Sequence, residues 1–297
     1  MLSITVPAST SNLGPCFDSL GIALSLKNTV KVLPSESLKI TIQGHGQNLP
    51  KDSQNLIVRS YELSCQKLGI SPIPMAWHLN NSIPISRGLG SSASAIIAGI
   101  LAAFHQAKEP IIPEKVLKIA LELEPHPDNI LPSLLGGMVI CTNEGTYLKL
   151  SPPTDLYFIA CIPEFELSTE KARKVLPSSV PIKDAIFNIQ RASLLISSLL
   201  TRNYELLGKA TEDALHQNYR APLIPGFFKI IKRAFGAGSA GAFLSGAGPT
   251  IMALSTSKPD EIGRVMVEAF LEEGISASYS ILKPLENGAE IFEDSDP

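Results

Sequence analysis

The spacing of apolar and polar positions predicts alternating strands and helices in the first half of the chain. Apolar residues on one side of the segment after Ser53 indicate a helix, with Ser53 as its N-cap. Two further helices are predicted from Gly88 to Ala107 and from Pro113 to Glu124, where Pro125 disfavours continuation. The strands predicted in this half are 3–6, 38–42, 77–79, 138–141 and 147–150.

A different order of elements begins after Ser151-Pro-Pro-Thr154, which is the predicted domain boundary. Strands are predicted at 156–162, 241–245, 250–254 and 278–282, and helices at 184–200, 204–216, 227–235 and 259–273. With the helices after the first strand counted as one crossover, the order is β-α-β-β-α-β, which is typical of a ferredoxin-like domain. One continuous α/β sheet is the alternative. The acidic segment 292–297 is expected to fray.

Composition supports two folded domains and excludes several classes of protein. The 297 residues are 44% hydrophobic and 18% charged, enough for two cores. The net charge of −3 gives no reason to expect nucleic-acid binding. Residues 95–104 form the longest apolar run, too short for a membrane span, and no basic residue precedes Lys27, which argues against a signal peptide. The four cysteines show no CxxC spacing, so we expect free thiols in a cytoplasmic protein.

The distribution of charge along the chain is uneven. Residues 1–26 carry only Asp18, residues 79–107 carry only Arg87, and residues 234–257 carry no charge. Buried strands and a core helix would explain these windows. A ligand pocket built from backbone N–H groups would explain them equally, because glycine and serine crowd into the same segments.

Two glycine-rich segments are candidates for that pocket. Pro84-Ile-Ser-Arg-Gly88-Leu-Gly-Ser-Ser92 opens a predicted helix, so its N–H groups and the helix N-terminus would favour an anion. It matches neither a Walker loop nor GxGxxG, and a plain tight turn is the alternative. The second segment, 243–250, lies between two predicted strands as either a hairpin turn or a second wall of the pocket.

Two polar segments add candidate chemistry. In 124–129, prolines fix the backbone beside His126 and Asp128, although an Asp here is also a common helix cap. Glu122, Glu124 and Asp128 supply oxygen ligands of the kind Mg²⁺ prefers. Asp18 stands alone among apolar residues, so its burial is costly unless it is paired, which favours a functional carboxylate.

Four segments together resemble the homoserine kinases of the GHMP small-molecule kinase superfamily. They are VPASTSNLGPCFDSLGIAL at 6–24, PISRGLGSSASA at 84–95, HPDNILPSLLGG at 126–137 and FLSGAGPT at 243–250. The resemblance implies an α+β fold of two domains. An N-terminal ATP-binding GHMP kinase domain (1–152) would be a ribosomal protein S5 domain 2-like unit with a left-handed βαβ. A C-terminal GHMP kinase domain (153–297) would be ferredoxin-like. It also implies ATP-dependent phosphorylation of the side-chain hydroxyl of L-homoserine in threonine biosynthesis, with Mg²⁺. Such kinases are often homodimers.

The resemblance also assigns roles to residues of this chain. ATP is assigned to Pro84, Arg87, Gly88, Leu89, Gly90, Ser91, Ser92 and Ala93, with Asn55 lining the nucleotide pocket. Mg²⁺ is assigned to Ser92 and Glu124, with Glu122 as the alternative carboxylate. Catalysis is assigned to Asn12, Asp18 and Asn129. Substrate binding is assigned to Asn12, Asp18, His126, Asp128, Arg191, Arg220, Gly246 and Gly248, the two arginines holding the substrate carboxylate in a bidentate fork.

One departure from the family pattern raises a question about the acceptor. Cys16 stands where the family usually has glycine; a left-handed backbone there would cost roughly 1 kcal/mol, and the thiol would intrude near the hydroxyl site. Three alternatives to a homoserine kinase therefore stay open: a GHMP kinase for another small alcohol, a non-catalytic binding descendant, and a structural or interaction module.

Overall fold

Two β-sheets organise the chain in the computed structural model, which describes residues 1–293. The first sheet contains β1 (Leu2–Ser11), β2 (Leu20–Pro34), β3 (Lys39–Gly44), β4 (Met75–Asn81), β5 (Met138–Cys141), β6 (Tyr147–Leu150) and, from the end of the chain, β11 (Glu290–Glu293). The second sheet contains β7 (Tyr157–Pro163), β8 (Gly241–Leu244), β9 (Ile251–Ser255) and β10 (Ala277–Leu282). Because two separate sheets form, the alternative of one continuous sheet is wrong.

Ten helices pack on these sheets within the described residues. They are α1 (Leu56–Leu68), α2 (Ser91–Ala107), α3 (Pro113–Ala120), α4 (Pro127–Leu135), α5 (Thr169–Lys174), α6 (Ile182–Thr201), α7 (Leu207–Ala210), α8 (Gln217–Arg220), α9 (Phe227–Gly236) and α10 (Pro259–Leu271). Short 3₁₀ turns at Tyr204–Leu206 and Ala221–Leu223 join the small helices of the second half.

The first sheet has the strand order β11-β1-β2-β4-β3, with β5 pairing β2 and β6. Of the pairs among described strands, only β3 with β4 is parallel, and α1 forms its crossover connection. This is the βαβ unit implied by the resemblance; its left-handed sense stays a prediction. Since β11 pairs with β1, the end of the chain returns to the first sheet, and the boundary between residues 152 and 153 also stays a prediction.

The second sheet is antiparallel, in the order β10-β7-β9-β8. Numbered within the domain, this is 4-1-3-2 with a β-α-β-β-α-β chain order, so the predicted ferredoxin-like arrangement is confirmed. Alternate residues of β7 point to opposite faces. Ile159 and Cys161 pack with α9 and α10, whereas Phe158 and Ala160 pack with residues of β1, β2 and α6. The core that contains Phe158 and Ala160 therefore has residues from both domains and joins them.

Several predicted element boundaries differ from the structure. β2 is a continuous strand of 15 residues that was not predicted, because polar residues interrupt its apolar pattern. The N-cap of α1 is Asn55, whose Oδ1 accepts from the Ile57 N–H at 3.1 Å, and not Ser53. α4 and α5 were also not predicted, being 9 and 6 residues long.

The predicted helix over 204–216 is wrong. This segment is a 3₁₀ turn followed by α7, which ends at Ala210, and the chain then loops to α8. Asp213 stops helical continuation because its carboxylate accepts N–H bonds from Leu215, His216 and Gln217. At the far end of the chain, Phe292 and Glu293 pair with β1 and do not fray, while 294–297 lie outside the described residues.

Burial of the cysteines agrees with the expected free thiols. All four are buried without a disulfide, and burial raises the pKa of Cys16, Cys141 and Cys161 to about 12. Over residues 1–293, none of the helices has the length and apolar character needed to cross a membrane.

Candidate active site

An open cleft lies between the two domains. Four chain segments predicted from the sequence converge on it. Its lining includes Asn12, Asp18, Arg87, Gly88, Gly90, Ser91, Ser92, Ala93, Glu124, His126, Asp128, Asn129, Arg220, Gly246 and Gly248. Ser11, Ser86 and Ala247 of the predicted segments also line it, and so do three residues from a segment that the sequence did not indicate, namely Leu167, Thr169 and Arg173.

The loop between β1 and β2 is held in an unusual backbone conformation. Asn12, Leu13 and Asp18 all have left-handed φ angles, of 71°, 44° and 54°. The side chain of Asn12 offsets this strain by accepting the Asp18 N–H at 2.9 Å and donating to the Gly246 carbonyl at 2.9 Å. Asn12 therefore fixes Asp18 within its own loop and ties that loop to the second domain.

The glycine-rich loop 84–92 delivers the N-terminus of α2 to the cleft. Gly88 and Gly90 adopt φ of +72° and +74°, which turns the chain directly into the helix at Ser91. The first N–H groups of α2 and its positive dipole end consequently face the cleft, where they favour an anion.

Contacts with the second domain fix this loop. A Cβ on Gly88 would lie 2.2 Å from the Ser245 carbonyl oxygen, so the two loops can approach this closely only with glycine there. The Ser245 hydroxyl donates to the Gly88 carbonyl at 2.7 Å and accepts from Thr10 at 2.8 Å. The glycine loop, β1 and the second-domain turn are thereby joined.

The start of α4 places Asp128 and Asn129 opposite the glycine loop. Asn129 Oδ1 accepts from Ser9 at 3.0 Å, and its Nδ2 donates to Ser11 at 2.9 Å, which fixes the amide orientation. Asp128 is buried, and its Oδ1 has no hydrogen-bond partner. Burial, followed by the nearby negative charge of Asp18, raises the pKa of Asp128 to about 6. A buried carboxylate with a free oxygen is suited to bind a cationic group.

The two candidate metal carboxylates differ in position. Glu124 lines the cleft, and its Oε1 is 2.8 Å from His126 Nδ1, a contact that orients the carboxylate. Glu122 instead pairs with Lys67 at 2.7 Å on the surface, away from the cleft lining. No group of three or more His, Cys, Asp or Glu side chains suited to a metal occurs over residues 1–293. Glu124 and Ser92 both line the cleft, and their assignment to a metal stays a prediction.

Arg173 on α5 is the main residue that sequence reasoning missed. Its guanidinium forms a bidentate pair with Asp18, with Nη2–Oδ1 at 2.7 Å and Nη1–Oδ2 at 3.1 Å. The Phe17 ring packs under it, 5.4 Å from Cζ. The signal was weak, because α5 is too short for a clear apolar period.

Arg220 lies at the cleft as predicted, almost fully buried. Its Nε donates to the Ala172 carbonyl, and its Cζ lies 5.1 Å from the Phe17 ring centre. Burial, followed by the positive charge of Arg173, lowers the pKa of Arg220 to about 10, so the group stays charged at neutral pH. Arg173 and Arg220 form a paired cationic wall around Phe17.

Arg191 does not belong to this wall and lies outside the cleft lining, so its assignment to the substrate stays a prediction that this position does not support. Its Nε donates to Glu212 at 2.9 Å, and its guanidinium stacks on Phe187 at 4.3 Å. Arg191 was favoured because its long helix was easily predicted, whereas the arginine that accompanies Arg220 stands on the short helix α5.

Three other predicted ATP residues lie outside the cleft lining. Leu89 is buried in the core between the domains, and Pro84 borders a neighbouring groove. Asn55 lines an adjoining cavity, which shares Ser91 and Ser92 with the cleft. The Pro50 carbonyl and the Ile57 N–H fix the orientation of the Asn55 amide, and one of the two N–H groups on Nδ2 stays available to a ligand.

Cys16 also differs from expectation. Its φ is not left-handed, and its side chain packs into the interdomain core, away from the cleft lining. The nearby requirement for glycine falls on Gly14, where a Cβ would lie 2.3 Å from the Thr211 carbonyl oxygen. Cys16 therefore carries neither the predicted backbone strain nor an intrusion at the hydroxyl site.

Comparison with protein families gives two matches in this chain. Residues 55–137 match the model of the GHMP kinases N terminal domain, and residues 195–272 match that of GHMP kinases C terminal. The first covers the glycine loop and Asp128, and the second covers Arg220 and the second-domain turn.

Individual relatives match over nearly the whole chain. A homoserine kinase from Aquifex aeolicus is 42% identical over 98% of this chain and 100% of its own length. One from Halothermothrix orenii is 44% identical over 94% and 92%. The crystal structure of homoserine kinase from Cytophaga hutchinsonii superposes with a TM-score of 0.88 at 30% identity, covering 98% of this chain and 97% of that one. A mevalonate kinase structure at 17% identity and a TM-score of 0.71 shares the fold.

Proposed function

The chain belongs to the homoserine kinase family of the GHMP kinases, and on that basis we propose that it transfers the γ-phosphoryl group of ATP to the side-chain hydroxyl of L-homoserine. The products are ADP and O-phospho-L-homoserine, an intermediate on the way to threonine. One observation carries the proposal. A helix N-terminus suited to phosphate, a buried carboxylate suited to an amino group and two arginines suited to a carboxylate line the same cleft.

ATP would occupy both cavities. Its phosphates would lie on the N–H groups of Gly88 to Ser92 and the N-terminus of α2, and its nucleoside in the cavity shaped by Asn55. Ser91 and Ser92 line both cavities, so they would lie beside the bond between the nucleoside and the phosphates of ATP. Arg87 also lines the cleft and is anchored by its Nε to the Pro163 carbonyl at 2.9 Å, where its charge would offset that of the phosphates.

Alanine at Gly88 should weaken ATP binding, because its Cβ would separate the glycine loop from the Ser245 carbonyl. We expect the KM for ATP to rise about tenfold or more in Gly88→Ala. Gly69 provides a matched control: its φ is +71°, against +72° at Gly88, but nothing lies within 4 Å of an added Cβ. Gly69→Ala should cost about 1 kcal/mol in the free energy of unfolding and leave the KM for ATP unchanged. Equal KM values in the two variants would contradict this assignment.

Mg²⁺ fits the donors at this site. Ser92 and Glu124 would hold the ion, because Mg²⁺ is commonly bound by one or two protein oxygens together with substrate phosphates. The ion would supply positive charge against the phosphate oxygens. His126 positions the Glu124 carboxylate through its ring nitrogen and its backbone N–H. Glu122 is not needed, since it is paired with Lys67 on the surface.

The homoserine zwitterion would be held at both charges. The N–H groups that Arg173 and Arg220 keep free beside their bonds within the protein would bind the carboxylate, while the Asp128 carboxylate, which lines the cleft, would accept from the ammonium group. This geometry leaves the substrate hydroxyl near Asn12 and Asn129, on the side of the glycine loop. Gly246 and Gly248 close the cleft from the second domain.

The transfer step would be an in-line displacement. The homoserine oxygen forms a bond to the γ-phosphorus, the bond to the β–γ bridging oxygen breaks, and the hydroxyl proton leaves with the phosphoryl oxygens or to water. Because the transition state is loose, early deprotonation of the hydroxyl contributes little. Both Asp18 oxygens are already engaged by Arg173, which supports an orienting role for Asp18 over that of a strong base.

Substitution of Asp128 should raise the stability of the folded chain and lower its activity. Its folded-state pKa, about 6, lies above the usual 3.8, so folding favours the protonated form. The stability contributed by this group is present below about pH 4 and is lost as the pH rises through about 6. Asp128→Asn should therefore raise the free energy of unfolding at pH 8 by about 1–3 kcal/mol and much less at pH 4. Denaturant titrations at both pH values measure this difference.

The same substitution should remove the ammonium partner. We expect kcat/KM for homoserine to fall about 10²-fold in Asp128→Asn, and the wild-type value to decline as the pH drops below about 6. A variant that is both less stable at pH 8 and fully active would contradict the assigned position of this carboxylate.

ADP release against a panel of acceptors tests the proposed function. Homoserine, threonine, serine, mevalonate and shikimate should each be offered with ATP and Mg²⁺. Turnover with homoserine, and phosphorylation of its side-chain oxygen, is the expected result. Turnover with mevalonate or shikimate in its place would assign another alcohol, and no binding of ATP–Mg²⁺ would refute a kinase.

We also propose a cytoplasmic homodimer. Buried, unbridged thiols support a reducing compartment. Ile182, Ile186 and Ile189 are 76%, 49% and 66% exposed on α6, and their spacing places them along one face that a second copy could cover. Sedimentation of the wild-type chain and of Ile189→Glu tests this assembly, which predicts a dimer for the first and a monomer for the second.

A further inference from the structure

His216 lies directly behind the arginine wall, outside the lining of the cleft. It is fully buried at the start of α8, and its ring stacks on Phe17 with centroids 5.0 Å apart. It contacts two parts of the candidate site at once: Nε2 is 2.7 Å from the Gly14 carbonyl oxygen, and Nδ1 is 3.2 Å from Nη1 of Arg220.

These two contacts determine the protonation of the ring. A carbonyl oxygen only accepts, so Nε2 must carry the proton that is donated to Gly14. A guanidinium only donates, so Nδ1 must be the unprotonated nitrogen that accepts from Arg220. A proton on Nδ1 would oppose an Arg220 N–H. Burial also lowers the pKa of His216 below its usual value, which favours the neutral ring.

The backbone around His216 is fixed by Asp213. Asp213 Oδ2 accepts the N–H groups of His216 and Gln217 at 2.9 and 2.6 Å, and Oδ1 accepts from Asn188 Nδ2 at 2.9 Å. Asn188 Nδ2 also donates to the Pro15 carbonyl at 3.0 Å. The imidazole therefore has little freedom relative to the loop that carries Asp18.

The remaining contacts of Arg220 show what this ring controls. Nε donates to the Ala172 carbonyl at 3.1 Å, and Nη1 donates to both His216 and the Gly246 carbonyl, the latter at 3.1 Å. Three of the five N–H donors are thus used by the protein, which leaves the two on Nη2 for a ligand. Gly246 also accepts from Asn12, so the chain of contacts from Gly14 through His216 and Arg220 returns to the same loop.

We propose that His216 is a positioning residue: its Nδ1 aims the Arg220 guanidinium so that Nη2 meets the carboxylate of the acceptor, which makes the enzyme selective for amino-acid alcohols. This inference rests on the proposed function, because it assigns the α-carboxylate of homoserine to Arg220.

Two substitutions of His216 distinguish the role of Nδ1 from that of Nε2. His216→Asn places an amide oxygen near the position of Nδ1 and keeps an acceptor for Arg220, whereas His216→Gln keeps a donor for Gly14 and loses that acceptor. We expect the KM for L-homoserine to rise about tenfold in His216→Gln and to stay within about threefold of wild type in His216→Asn. In both variants kcat and the KM for ATP should change less than about twofold.

A substrate without the carboxylate supplies the second readout. The preference for L-homoserine over 3-amino-1-propanol, as a ratio of kcat/KM values, should fall in His216→Gln and persist in His216→Asn. Equal rises in KM, or an unchanged preference in the Gln variant, would overturn the inference alone. No homoserine turnover by the wild-type chain would refute the proposed function and this inference with it.

The ring tautomer can be measured without any variant. In the ¹⁵N histidine spectrum of the wild-type chain, the ring of His216 should be neutral and protonated at Nε2 at pH 7. The signal of His216 is identified by its loss in His216→Asn. A His216 ring protonated at Nδ1, or charged at this pH, would overturn the inference even if the Gln variant failed to fold.

Discussion

Arg173→Lys is expected to lower kcat/KM for L-homoserine by about 10²-fold, mostly through KM, because lysine keeps the charge but loses the planar fork. In the structure that fork already holds both oxygens of Asp18, and it packs on the same ring as Arg220. Substitution would loosen the Asp18 loop and remove part of the carboxylate site together. Steady-state kinetics with homoserine varied at saturating ATP measure the effect.

Arg191→Lys is the matched control for this prediction. Arg191 pairs with the partly exposed Glu212 away from the cleft, and surface ion pairs contribute little. We expect kcat/KM within about twofold of wild type. If instead Arg191→Lys impaired homoserine binding and Arg173→Lys did not, the carboxylate site would have to be moved to α6.

Glu124→Gln is expected to reduce kcat by about 10²-fold or more and to raise the Mg²⁺ concentration needed for half-maximal activity. The amide keeps the shape of the side chain and loses the charge that attracts the ion. His126 would also lose its ionised partner, since its Nδ1 lies 2.8 Å from the Glu124 carboxylate. A Mg²⁺ titration of activity, with a binding titration of ATP–Mg²⁺ beside it, gives both quantities.

Glu122→Gln tests whether the loss of kcat is specific to Glu124. Glu122 is two residues away and forms an exposed ion pair with Lys67, so its loss should change kcat less than about twofold. A large loss at Glu122 with little change at Glu124 would assign the metal to the other carboxylate and would require the 121–126 turn to rearrange.

The fold was predicted best where the apolar pattern of an element is not interrupted by polar residues. The apolar runs of β7 and β9 and the helix α10 have clear periods, and they led to the correct ferredoxin-like order. The helix over 204–216 was wrong because Asp213 caps N–H groups of the following turn, a contact that apolar spacing does not reveal. Pairing of β11 with β1 depends on a contact between the two ends of the chain, which local patterns do not contain.

Residues of the candidate site were likewise predicted where the local sequence marks them, and missed where it does not. Asp18 and the glycine loop were found because motifs and an isolated charge mark them in the sequence. The uneven charge is explained by the structure, since the windows around Asp18 and Arg87 and the turn at Gly246 meet in one cleft. Arg173 was missed because nothing local distinguishes it from other basic residues of a short helix; its importance arises from its contacts with Asp18 and Phe17 across the domain boundary.

A crystal structure of the chain with L-homoserine, Mg²⁺ and a non-hydrolysable ATP analogue tests the central claim most directly. The account predicts the homoserine carboxylate on Arg173 and Arg220, the ammonium group on Asp128, and the hydroxyl facing the γ-phosphate beside Asn129. The triphosphate should lie along Gly88 to Ser92, with the metal on Glu124. Homoserine bound outside this cleft, or with its carboxylate on Arg191, would contradict the account.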